Sequence, residues 1–68
     1  MEKVTVGRKL QALRKSNNLS IENVCDKVFI SKSSLQKYET DRRVPRDDVK
    51  KRLAEFYGTT VANIFFDE

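Results

Sequence analysis

Apolar and polar positions along the chain recur at the helical period. Val6, Leu10 and Leu13 stand at i, i+4 and i+7, with Arg8, Lys9, Arg14 and Lys15 on the other sides, which predicts an amphipathic helix from about Thr5 to Asn17. Asn18 is suited to close it in the left-handed conformation. Ser20 then offers a hydroxyl cap, and Val24, Cys25 and Val28 share a face, predicting a second helix over Ser20 to Val28. Ser31 caps a third that runs to about Glu39, with Ser34, Leu35 and Tyr38 on one side. Thr40 to Pro45 reads as a charged loop. Asp47 or Asp48 caps a fourth helix carrying Val49, Leu53, Ala54, Phe56 and Tyr57, which Gly58 ends, and Thr60 caps a short fifth holding Val61, Ile64 and Phe65. No segment has the period of a strand. No repeat, low-complexity tract or Gly/Ser linker divides the chain, so residues 1–68 are expected to form a single all-α domain of five helices.

Composition narrows what such a domain does. At 68 residues it buries only about 60% of its unfolded surface, too little for a deep catalytic cleft. With no His and one Cys, the chain lacks the ligands of a common zinc site, the partner for a disulfide, and the members of a Ser-His-Asp triad or Cys-His pair. The expectation is a protein that is not an enzyme and uses no metal or cofactor. Cys25, on the apolar face of the second helix, reads as core filler. Asp47 and Asp48 read as carboxylates favoured by the dipole at a helix start and not as metal or acid-base groups. No apolar run exceeds three residues, against the ~20 a spanning helix needs, which predicts a soluble, cytoplasmic protein with no membrane partner.

The charge is uneven. Fourteen Lys and Arg face ten Asp and Glu for a net +4, yet residues 1–43 alone carry +5. Between Lys27 and Arg46 six bases meet two acids, a local excess that attracts polyanions. The third helix lies in this stretch. At about 100° per residue, Lys32, Gln36, Ser33 and Lys37 fall within an arc of about 140°, opposite Ser34, Leu35 and Tyr38. Burying Leu35 and Tyr38 therefore turns those four outward together. Their side chains are of the kind that read base edges: Gln pairs bidentately with adenine, Lys donates to guanine, and Ser serves either.

The arrangement LSIENVCDKVFISKSSLQKYETDRRVP from Leu19 to Pro45 resembles the phage-repressor-type (Xre/Cro-like) helix-turn-helix family. Val6, Leu10 and Leu13 match its first helix, Ser20 its second-helix cap, Cys25 its small buried position and Ile30-Ser31 the entry to its recognition helix. Leu35, Tyr38 and Glu39 match the end of that helix, and Pro45, Leu53, Ala54, Gly58 and Val61 to Phe65 its fourth and fifth helices. The resemblance implies a lambda-repressor-like fold and a repressor-like transcriptional regulator that binds double-stranded DNA as a homodimer, on half-sites about one helical turn apart. It implies Lys32, Ser33, Gln36 and Lys37 toward the major groove, and Ser31, Thr40, Arg42 and Arg43 toward the phosphates. Two positions depart from the family. Ile21 stands where a phosphate-touching glutamine is frequent, and Phe29 where the turn commonly holds glycine. Both replacements are apolar, which supports a second reading: a helix-turn-helix module that binds a protein partner through Ile21 and Phe29. Phe65 and Phe66 carry more apolar area than a short helix buries alone, and a dimer contact is the reading preferred over packing on the first helix.

Overall fold

The computed structural model describes residues 4–66. Five helices follow in order: α1 (Val6–Ser16), α2 (Ile21–Val28), α3 (Lys32–Glu39), α4 (Asp47–Phe56) and α5 (Val61–Phe65). The described residues contain no strand, and no helix among them is long and apolar enough to cross a membrane.

The ends of the helices follow from side-chain chemistry. Thr5, Ser20, Ser31 and Thr60 each accept a hydrogen bond from the backbone N–H three residues on, at 3.1 to 3.2 Å, satisfying a donor that the first turn leaves free. Ser20 also gives its own N–H to Asn23 Oδ1 at 3.1 Å, a reciprocal box. The start of α4 differs from expectation. Neither Asp47 nor Asp48 is the cap; Arg46 holds that position and makes no side-chain cap bond, while the two aspartates lie in the first turn. There their charge faces the helix dipole without occupying the capping geometry.

Four helices close in one way. Asn18, Phe29, Asp41 and Gly58 take positive φ, from 56° to 69°, and the next N–H reaches back five residues. Leu19 donates to Arg14 O, Ile30 to Cys25 O, Arg42 to Lys37 O and Thr59 to Ala54 O, at 2.9 to 3.2 Å. Asn, Asp and Gly tolerate this conformation, whereas a phenylalanine does not adopt it readily.

Every helix gives the core at least one side chain with almost no exposure: Leu10, Val24, Val28, Leu35, Leu53 and Ile64. Cys25 is buried among them as a free thiol, and burial pushes its pKa up. α1 packs on α3 and α5, α2 on α3 and α4, and α4 on α5. Gly7 permits the first of these contacts, because a Cβ there would lie 2.5 Å from Glu39 O. The same residue donates its N–H to Asp41 Oδ1 at 2.8 Å.

Two turns further along α1, the Arg14 side chain is largely covered, although the amphipathic pattern puts it on the polar side. Its Nε and one terminal nitrogen donate to the two Glu39 oxygens at 2.9 and 3.1 Å, and the other terminal nitrogen donates to Leu19 O at 3.1 Å. The side chains of this pair are 12% and 4% exposed. The bond to Glu39 raises the Arg14 pKa above its ordinary value. The Tyr57 hydroxyl is also buried, with no hydrogen-bond partner among the described residues. Burial first, and the Glu39 carboxylate second, push its pKa up to about 12, so it is neutral at physiological pH.

Removing one member of a buried ion pair leaves the other uncompensated. Glu39→Ala is therefore expected to cost about 3 to 5 kcal/mol in urea unfolding, and the double replacement Arg14→Met with Glu39→Leu to recover most of that loss. Equal stability of the single and double variants would show that the pair is not the source of the cost.

Candidate nucleic-acid interface

The candidate interface is built on α2 and α3, joined by the three residues Phe29, Ile30 and Ser31. Phe29 makes the turn at φ 62° and ψ 52°. A residue of α4 braces it: Arg52 donates to Val28 O at 2.9 Å and to Phe29 O at 3.5 Å, and its second terminal nitrogen pairs with Asp48 Oδ2 at 3.3 Å. The last carbonyls of α2 thus take their donors from α4, which fixes the direction in which the chain enters α3. Arg52 is a positioning residue that the sequence does not announce, because its acceptors are carbonyls 23 and 24 residues away.

With Leu35 and Tyr38 buried, Lys32, Ser33, Gln36 and Lys37 are all exposed, as the helical period requires. The structure brings most of the expected set together. Ser33, Gln36 and Lys37 line one open concavity with Thr40 and Arg42, about 470 Å³ in volume. Lys32 lies outside that lining and pairs loosely with Glu22 of α2 at 3.7 Å, both side chains being well exposed. Such a pair is weak and gives way easily. The Ser31 hydroxyl accepts from Ser34 N and donates to Ser34 Oγ, and Thr40 Oγ1 donates to Gln36 O at 2.7 Å. Both hydroxyls already spend their protons within the domain. A phosphate contact from either therefore requires its hydroxyl hydrogen to turn away from its present acceptor.

The loop after α3 wraps back over the end of the helix. The N–H groups of Arg42 and Arg43 both donate to Lys37 O, at 2.9 and 3.3 Å, which holds the two guanidinium stems near the end of α3. Their side chains part. Arg42 joins the concavity, whereas Arg43 borders grooves on other flanks, in company with Val44 and Tyr38. Among the described residues, none of Lys37, Arg42 or Arg43 has a carboxylate within ion-pair distance.

Ile21 and Phe29 stand at opposite ends of α2, roughly 12 Å apart along its axis. Ile21 is half-buried against the core while Phe29 is 79% exposed.

Two short helices joined by a tight left-handed turn, with a polar face on the second turned outward, define a helix-turn-helix domain. The chain belongs to that family, whose helix-turn-helix domain model matches residues 5–64. It is also similar to the HTH-type transcriptional activator BcrR of Enterococcus faecalis, with 27% identity over 60 residues, or 88% of this chain. The matched stretch spans 29% of that protein.

A non-glycine residue in the left-handed region costs roughly 1 to 2 kcal/mol, and glycine loses about 0.5 to 1 kcal/mol in added chain entropy. With its side chain largely in water, Phe29→Gly is expected to raise stability by about 0.5 to 1 kcal/mol, and Arg52→Ala to lower it by about 1 to 2 kcal/mol. Thermal unfolding of the two variants checks both signs, and a destabilised Phe29→Gly would mean that its ring supports the fold.

Proposed function

We propose that the domain binds double-stranded DNA sequence-specifically, with α3 in the major groove, as the DNA-reading unit of a transcriptional regulator that acts by binding and not by catalysis. The observation that carries this reading is the shared concavity of Ser33, Gln36, Lys37, Thr40 and Arg42, which sets base-reading side chains beside a free guanidinium. Family membership and the relative named as a transcriptional activator support it. In this reading Lys32, Ser33, Gln36 and Lys37 face bases and Ser31, Thr40 and Arg42 face phosphates on either side of the groove, while Arg43, whose side chain borders other flanks, is left out of the DNA contact. The regulator in this reading is repressor-like and acts in the cytoplasm.

A homodimer belongs to the same proposal. One such domain reads only a few base pairs, and pairing adds the affinity that a single half-site lacks. The surface that supports it is at the end of α5. Phe65 packs against the core, but Phe66 is 54% exposed. Phe66 borders an open apolar depression with Val61, and Lys50 lies 5.6 Å from the centre of its ring.

Lys37→Ala is expected to cost about 1 to 3 kcal/mol at a selected site while leaving random DNA nearly unaffected, whereas Arg42→Ala weakens all sequences alike and reduces the salt slope by about 1. Fluorescence anisotropy on duplexes from an in-vitro selection measures both. Equal losses on selected and random DNA for Lys37→Ala would remove it from base reading, and failure to enrich any sequence would sink the proposal.

A further inference from the structure

Phe29 and Val44 are 79% and 74% exposed, more than any other large apolar side chain described. Both border one groove of about 430 Å³ between the α2–α3 turn and the start of α4, and Arg43, Arg46 and Arg52 line it with Ser34. No carboxylate belongs to that lining, and the groove shares no residue with the concavity on the outward face of α3.

Three features distinguish this groove from an ordinary charged surface. The other helices that end in a left-handed residue use Asn18, Asp41 or Gly58, residue types that adopt the conformation with little cost. Phe29 accepts the cost and stays 79% exposed, so most of its ring is available to a partner. Val44 faces water on the same groove. Finally, three arginines line it. Arg52 is already engaged with Asp48 and the α2 carbonyls, which leaves Arg43 and Arg46 without a carboxylate within ion-pair distance among the described residues.

We propose that this groove docks an acidic segment of a protein partner that carries a large apolar side chain. Its carboxylates meet Arg43 and Arg46, and its apolar side chain lies between Phe29 and Val44. The combination favours a polypeptide over nucleic acid. A phosphate backbone satisfies the arginines but gives Phe29 and Val44 nothing to bury, whereas an acidic peptide with one aromatic residue satisfies both. Ile21 takes no part, since it lies at the far end of α2 and packs inward.

The test is an amide chemical-shift titration of the isotope-labelled chain. The probe is a synthetic peptide of Asp and Glu around a central Phe. One control peptide replaces that Phe with Ser, a second replaces every carboxylate with its amide, and a separate titration uses duplex DNA. The expected result is that the first peptide shifts Phe29, Ile30, Val44 and Arg46 and both controls lose the effect. Phe29→Gly, Val44→Ser and Arg46→Glu each weaken the peptide by about tenfold or more. Phe29→Gly is expected to be at least as stable as the parent, so its loss of binding cannot be unfolding. Three results would overturn the proposal: shifts confined to the outward face of α3, binding indifferent to Phe29→Gly, or duplex DNA that moves Phe29 and Val44 as strongly as Gln36 and Lys37. The peptide arm contains no DNA, so its outcome stands whether or not DNA binds.

Discussion

The placement of α3 depends on the buried pair of Arg14 and Glu39. One guanidinium satisfies both oxygens of the last residue of α3 and the Leu19 carbonyl that leads into α2. A single side chain on α1 thereby fixes where α3 ends and where the helix before it begins. Gly7, Leu10 and Arg14 form one stripe along α1, at i, i+3 and i+7. The first lets the backbone of Glu39 approach, the second fills the core and the third holds the carboxylate. Nothing in that stripe touches the outward face of α3, yet the direction of that face follows from it. A buried ion pair is weak evidence of stability. Here its geometric effect is to admit one register of α3 against α1, because a slip by a turn would leave two charges unpaired in the core.

Local chemistry settled most of the fold. The positions of Ser20, Ser31 and Thr60 as caps, and of Asn18 and Gly58 as exits, could be read from residue type and spacing, since each acts on its own backbone within a few residues. The apolar face of each helix was legible for the same reason. The pattern misplaced Arg14, because hydropathy assigns a charged residue to water and carries no sign that a carboxylate 25 residues away will meet it. The cap of α4 was misread between neighbours: aspartate suits both the cap and the first turn, and the backbone chose the latter.

At the interface the helical period alone located the exposed face of α3. It did not show that Thr40 and Arg42 would join that face while Arg43 turned to other flanks, for the two arginines are adjacent and chemically alike. Their separation comes from the loop, where two N–H groups compete for the one Lys37 carbonyl. Arg52 was equally silent in the sequence, since a backbone carbonyl leaves no mark on residue identity. Phe29 was the opposite case: an apolar residue at a turn that usually holds glycine signals tension in the sequence itself, and its φ is positive.

The buried thiol of Cys25 has a use apart from packing. It is the one sulfhydryl in the chain, shut into the core with its pKa pushed up by burial. The thiolate is the reactive form, so an alkylating reagent finds almost nothing to attack while the helices are closed. Labelling then proceeds only as fast as the domain opens. The molecule carries its own clock for breathing, one that a mass spectrometer can read on the unmodified chain with no dye or tag attached.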